Sequence, residues 1–227
     1  MPRTDYQRQL EALREDVLDM SDLVRGRLQQ AIRALEDGDV ERAEAVIEGD
    51  YQINERYLEL EGACIELIAL QQPVAGDLRV IASSFKVITD IERIGDLATN
   101  LGKYTTPAGG IEHPTVDVEE IGEYALEMVD AAMGAYATDD ADAAREVAAM
   151  DDHLDARCAE ASSAVVRELL EADPAAEADD WTDAETALAE VSRMLLILRD
   201  LERVGDHAVN VAARTLYMVE NDDELIY

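Results

Sequence analysis

The feature that most constrains this chain is an internal copy. Asp90-Ile-Glu92-Arg93-Ile-Gly95-Asp96-Leu-Ala98-Thr-Asn100 returns 110 residues later as Asp200-Leu-Glu202-Arg203-Val-Gly205-Asp206-His207-Ala208-Val-Asn210, with Asp, Glu, Arg, Gly, Asp, Ala and Asn in the same places. Upstream the offset is 101, aligning Asp39 with Asp140, Ala43 with Ala144, Val46 with Val147 and Asp50 with Asp151. The difference falls in the turn around Pro174 to Trp181, where loop length costs little. A repeat of this length means one structural unit used twice. The junction lies in the Pro/Gly stretch from Thr105 to Pro114, dividing the chain into residues 1–108 and 115–227.

Punctuation identifies the unit. Gly38, Gln72-Pro73, the Pro107 to Pro114 stretch, Asp139-Asp140 and Asp173-Pro174 leave six segments, each several helical turns long. Thr4 with Gln7 and Thr182 with Glu185 have the spacing of capping boxes. Aromatic residues are few, and β-branched residues never alternate with polar ones for long, so strand signals are missing. The expected fold is all-α: two tandem three-helix bundles related by duplication, with Glu92 and Glu202 equivalent.

Composition narrows the partners. With 52 acidic against 19 basic residues the net charge is −33, which excludes free nucleic acid, because binding it rests on a basic face. Leu, Ile, Val and Phe make up about a quarter of the chain, enough for a core in a highly charged protein. The longest stretch without charge, Leu67 to Gly76, is far short of the ~20 apolar residues that span a bilayer, and Tyr6 to Asp19 is too charged for a signal peptide. A cytoplasmic location is expected. The basic set contains only Lys86 and Lys103 beside its arginines, a balance that suits high internal salt and a halophilic source. Cys64 and Cys158 form no CxxC and are expected to be small buried hydrophobes.

Helical phase makes the repeated string unusual. At ~100° per residue, Leu78, Ile81, Phe85 and Ile88 form a stripe that continues into Glu92 and Asp96. In the second copy Leu188, Val191, Leu195 and Leu198 lead to Glu202 and Asp206. The phase thus predicts two carboxylates per copy interrupting a core-facing stripe, a costly place for charge unless it is paired, protonated or bound to a cation. In an antiparallel hairpin turning near residues 72 and 73, Asp50 lies opposite position 95 and Asn54 opposite 91. That brings Asp50-x-x-x-Asn54 beside Glu92-x-x-x-Asp96, and Asp151-x-x-x-Asp155 beside Glu202-x-x-x-Asp206. Converging oxygen ligands of this kind suit a hard-cation or carboxylate-bridged metal site. Salt bridges from Arg93 and Arg203, or a solvated bundle end, account for the same residues equally well. A ferritin-like di-iron centre is disfavoured, since Glu-x-x-His does not occur twice. Among His113, His153 and His207 only His207 adjoins a candidate ligand, and it is read as exposed or capping.

The runs Val46-Ile-Glu-Gly-Asp50, Gln72-Pro73-x-x-x-Asp77-Leu78-Arg79, Asp90-x-Glu92-Arg93-Ile94-Gly95-Asp96 and Leu201-Glu202-Arg203-Val204-Gly205-Asp206-His207-Ala208-x-Asn210 resemble the PhoU family of phosphate-uptake regulators over nearly the whole chain. The resemblance implies two three-helix bundles side by side. It also implies a cytoplasmic negative regulator of the phosphate-specific ABC transporter and, in bacteria, of its sensor kinase, and multinuclear metal binding through paired E/D-x-x-x-D motifs. Those motifs map onto Asp50, Asn54, Glu92 and Asp96 and onto Asp151, Asp155, Glu202 and Asp206, with Asn54 departing from the carboxylate pattern. Fe, Zn, Mn and Mg all accept such ligands. The basic row Arg79, Lys86 and Arg93 exists only in the first copy. No nucleophile-base pair or Gly-rich phosphate loop is present, so no enzyme is expected. A metal-free helical adaptor is the main alternative, and a metal-dependent hydrolase or oxidase the lesser one. Family precedent, with Leu10, Leu13, Val17 and Leu18 taken as an outer apolar stretch, suggests a homodimer.

Overall fold

The computed structural model describes residues 3–71, 75–106, 116–171 and 181–226. Seven helices and no β-sheet form among them: α1 (Arg3–Asp37), α2 (Val40–Glu48), α3 (Asp50–Gln71), α4 (Ala75–Tyr104), α5 (Val118–Thr138), α6 (Ala141–Glu171) and α7 (Trp181–Glu220). Each copy supplies a three-helix bundle, α1 with α2/α3 and α4, and α5 with α6 and α7. The turns near residue 73, at 107–115 and near 174 lie outside the described residues, as do the side chains of Thr4 and Thr182 from the proposed capping boxes.

The first turn of each copy is built alike. Gly38 and its counterpart Asp139 both take the left-handed conformation, with φ of 65° and 55°, which ends α1 and α5. The next residue caps the following helix: the Asp39 carboxylate accepts from the Arg42 amide, and that of Asp140 from the amides of Asp142 and Ala143. Asp139 tolerates its strained φ beside Arg14 of α1, which donates to both carboxylate oxygens at 2.9 and 2.6 Å and to the Tyr136 carbonyl.

Where six helices were expected there are seven, because the second helix of the first copy breaks at Gly49. The Arg27 guanidinium fills the position a Gly49 Cβ would take, donating at 2.8 Å to the Ala45 carbonyl at the end of α2 and at 2.7 Å to Gln52 Oε1 in α3. The counterparts of Gly49 and Arg27 are Met150 and Met128, and α6 runs through unbroken.

Apolar burial joins the bundles. α4 packs along α7 and α1 along α5, so residues such as Val24, Ile88, Tyr136 and Leu201 belong to one continuous core. Tyr136 is fully buried, with its hydroxyl 2.7 Å from that of Ser84 across the copies, and burial pushes it up to about 12. Cys64 and Cys158 are buried, as expected. Leu10, Leu13 and Val17 correct the sequence reading: they are core residues, and Leu18 packs against the core, so this stretch leaves no apolar face for a second copy. A length difference also separates the bundles. The first residue of α5, Val118, corresponds to Val17, so among the described residues no helix matches residues 3–16 of α1. They run beside the outer part of α3, lining a groove with Ala63, Glu66 and Leu67, whereas beside the outer part of α6 lies an open cleft of about 860 Å³ lined by Val116, Ile121, Arg157, Ala161 and Arg167.

Candidate functional site

The repeated string lies in the inner halves of α4 and α7, and its glycine lets the neighbouring helix approach. A Cβ on Gly95 would meet Ile53 Cδ1 at 2.9 Å, and one on Gly205 would collide with Leu154, the counterpart of Ile53, with Asp151 Oδ1 3.2 Å away. That proximity sets α3 against Glu92 and Asp96 and α6 against Glu202 and Asp206, as the antiparallel register predicted. The stripe does not stay in the core, however. Glu92, Asp96 and Glu202 are half-buried, Asp155 and Asp206 are exposed, and Leu78 and Leu188 at the outer end are exposed too. The line along the helix is as the phase predicts but its depth is not, because each third helix rolls its Glu/Asp edge toward solvent while Ile91, Ile94 and Val204 hold the core.

In the first copy the acidic groups have partners. The break at Gly49 puts Asp50 in the first turn of α3, where the helix dipole favours negative charge. Asn54 Nδ2 donates to Asp50 Oδ2 at 2.9 Å, and Thr99 Oγ1 to Oδ1 at 3.0 Å. Arg93 reaches Asp96 at 3.3 Å and Glu92 at 3.7 Å. Burial raises Glu92 above the ordinary carboxylate range, Asp96 and Asp50 add to it, and Arg93 and His207 oppose it. The salt-bridge reading therefore describes this copy well.

Among the described residues the second copy has no such partners. Asp151 sits within continuous α6, Asp155 replaces Asn54, and Val209 replaces Thr99. Arg203 turns away toward Asp200, 3.7 Å from it. Asp151 Oδ1 is buried without a hydrogen-bond partner. Burial, then Asp155, Asp206, Asp152 and Glu202, push Asp151 up to about 6. Loss of water and neighbouring acids likewise raise Asp155 and Glu202. Among the described residues no group of three or more His, Cys, Asp and Glu side chains is drawn together closely enough to hold an ion as it stands. The set is an open cluster of acceptors only, and what it lacks chemically is positive charge.

Two site-adjacent residues escaped the sequence reading. Asp200 is fully buried and accepts from Tyr104 of the first copy at 3.0 Å and from Arg199 at 2.9 Å. Burial, then the Asp200 hydrogen bond, raise the Tyr104 phenol above its ordinary range. Its counterpart Asp90 faces the second copy, where His207 Nδ1 lies 3.0 Å and Asn210 Nδ2 3.2 Å from Oδ1. Read as exposed or capping, His207 is instead half-buried in an inter-copy link. Both aspartates head the repeated string, which was the available signal. The basic row disperses: Arg79 reaches Asn221 at 3.1 Å, Arg93 serves the carboxylates, and Lys86 is exposed.

Known proteins place this geometry. The family model described as PhoU domain matches twice, over residues 17–105 and 118–215, once per copy. The chain is 34% identical over 221 residues to the phosphate-specific transport system accessory protein PhoU homolog of Pseudomonas aeruginosa, covering 96% of this chain and 86% of that protein. It is 31% identical to the corresponding homolog 1 of Methanothermobacter thermautotrophicus, covering 96% and 95%. The crystal structure of PhoU from Pseudomonas aeruginosa superposes with a TM-score of 0.85 at 34% identity, covering 96% of this chain and all of that one. The phosphate transport system regulatory protein PhoU from Streptococcus pneumoniae shares the fold, with a TM-score of 0.81 at 23% identity and coverage of 96% and 98%.

Proposed function

The chain belongs to the PhoU family, and on that premise we propose that it is a non-enzymatic negative regulator of phosphate uptake. It acts by contact with a phosphate ABC transporter or its signalling partner, on the cytoplasmic side. No helix among the described residues is long and apolar enough to cross a membrane, so the transporter supplies the membrane attachment. Kinship along the whole chain, through both copies, supports this reading.

Metal binding belongs to the same proposal, with the copies ranked. The orphaned Asp151 oxygen and the all-carboxylate donor set fit a hard cation in the second copy, where Asp151, Asp155, Glu202 and Asp206 would hold it. Asp50, Asn54, Glu92 and Asp96 fit it less well, since Asp50 and Asp96 already have partners. A bound cation supplies local positive charge on a chain of −33, and with it attraction for phosphate or for an acidic group of a partner. The single observation carrying the metal reading is the buried, unpartnered Asp151 Oδ1.

Elemental analysis of purified protein before and after chelation tests the metal. Phosphate uptake in a strain lacking this gene, with and without its restoration, tests the regulation. Retained Fe, Zn, Mn or Mg together with uptake that escapes control on deletion is the expected pair. Metal-free protein that still restores control would leave the adaptor reading, and turnover of phosphate esters or oxygen by the metal-loaded protein would replace both.

A further inference from the structure

Helix α3 carries an apolar ridge that faces solvent. Tyr51, Leu58 and Ile65 are 59%, 62% and 56% exposed, and a spacing of seven residues puts them on nearly one line, about 21 Å long. Large apolar side chains aligned in this way cost solubility without helping the bundle, which already has its core on the opposite face of α3 at Ile53, Leu60 and Cys64. The fold does not require the ridge, because in the second copy the same positions are Asp152, Ala159 and Val166.

The flank of the ridge indicates what covers it. Glu55, Glu59 and Glu66 follow one side, turned about 50–100° from it, and all are exposed, Glu59 with Arg56 beside it at 3.1 Å. In the second copy Glu55 becomes Ala156 and Glu66 becomes Arg167, with only Glu160 kept in place of Glu59, so the complete acidic rail and the apolar ridge occur together and only in the first copy. A second copy of the chain is a poor occupant, since it brings the same glutamates and the same −33. An apolar ridge beside a line of carboxylates complements a helix with an apolar stripe flanked by Lys or Arg.

We propose that the exposed face of α3 is a docking surface for a cationic amphipathic helix of a partner protein. Leu58 and Ile65 form its centre, and Glu55 and Glu66 set orientation and rate of encounter. This goes beyond the phosphate reading, and its test involves neither a metal nor a transporter, so either can fail alone.

The probe is a fluorescent 21-residue helical peptide with Leu at the a and d heptad positions and Arg at e and g, compared with the same peptide carrying Glu at e and g. Binding to the full chain is followed by anisotropy at low and at high salt. The expected result is binding of the Arg peptide only, weakened about tenfold or more by Leu58→Gln with Ile65→Gln, and changed by less than about twofold by Val166→Gln with Leu170→Gln on the second copy. Glu55→Gln with Glu66→Gln lowers the association rate and flattens its salt dependence. These side chains are exposed, and an unchanged melting temperature confirms that the variants fold. Equal binding by the Leu58/Ile65 and Val166/Leu170 variants would show adsorption to overall charge and overturn the proposal. Light scattering in which the Leu58/Ile65 variant turns a dimer into a monomer would assign the face to a second copy and overturn it as well.

Discussion

The two copies carry the same Glu-x-x-x-Asp in α4 and α7, yet one is electrostatically satisfied and the other is not. Two substitutions, one reoriented arginine and one helix break make the difference. Asn54 and Thr99 donate to Asp50 where Asp155 and Val209 offer Asp151 nothing, and Arg93 bridges its carboxylates while Arg203, with the same neighbours in sequence, turns to Asp200. Gly49 gives Asp50 a helix N-terminus, and Met150 denies one to Asp151. Hydrogen bonds to a charged group are worth about 1.5–3 kcal/mol, so the first copy has made stable what the second leaves available to an outside cation. Duplication here preserved the motif while its surroundings diverged.

The largest expected effect is on metal content. Glu202→Gln with Asp206→Asn removes most of the retained metal, while Glu92→Gln with Asp96→Asn removes much less, as elemental analysis of the two purified variants would read. Equal losses would erase the distinction between the copies. No loss from either, with thermal stability unmoved by chelation, would mark the carboxylates as solvated surface groups.

Next is the pH dependence of stability after chelation. Asp151 is raised in the folded chain from its ordinary 3.8 to about 6, so the folded state holds its proton more tightly than the unfolded one. The stabilisation from this group is complete below about pH 4 and is lost as pH rises to about 6 and beyond. Asp151→Asn should therefore raise the stability of the chelated protein at pH 7.5 by about 1 kcal/mol, allowing for solvent screening of a half-exposed group, and flatten the slope between about pH 4 and 6 in urea titrations. Metal affinity has the opposite sign, rising with pH as the ligands deprotonate.

An effect of similar size tests the first copy. Thr99→Val, which copies Val209, strips a donor from Asp50 and should cost about 1 kcal/mol in chemical denaturation. The reciprocal Val209→Thr should stabilise the chelated protein only if its hydroxyl reaches Asp151, which would reproduce the first copy's solution in the second.

Much of this was legible from residue spacing. The repeat, the all-α class and the facing of α3 on α4 and α6 on α7 follow from periodicity and hairpin register, which are local properties of one chain segment and its neighbour. Three things were not. The helix break at Gly49 depends on Arg27, which lies a whole helix away and occupies the missing side chain's place. The depth of the Glu/Asp stripe depends on how far each third helix is rolled, and periodicity sets a line on a helix without setting its rotation against the core. Asp90 and Asp200 point across the junction between copies, and nothing in the pattern of one copy records what the other presents to it. Leu10, Leu13 and Val17 were misplaced for the same reason: an apolar stripe alone does not say which neighbour covers it.

The short fifth helix has a kinetic consequence. Because α5 begins level with Val17, the outer ends of α6 and α7 pair, among the described residues, without a third helix like the one that residues 3–16 supply beside α3 and α4. A two-helix end closes fewer apolar contacts per backbone hydrogen bond and so opens at a lower free energy than the rest of the molecule. Amides of residues 160–171 should exchange with deuterium well before those of residues 60–69, although both stretches are helical and related by the repeat. The chain thus unfastens from one end, and the order in which its amides are lost is set by the fourteen residues with which α1 begins.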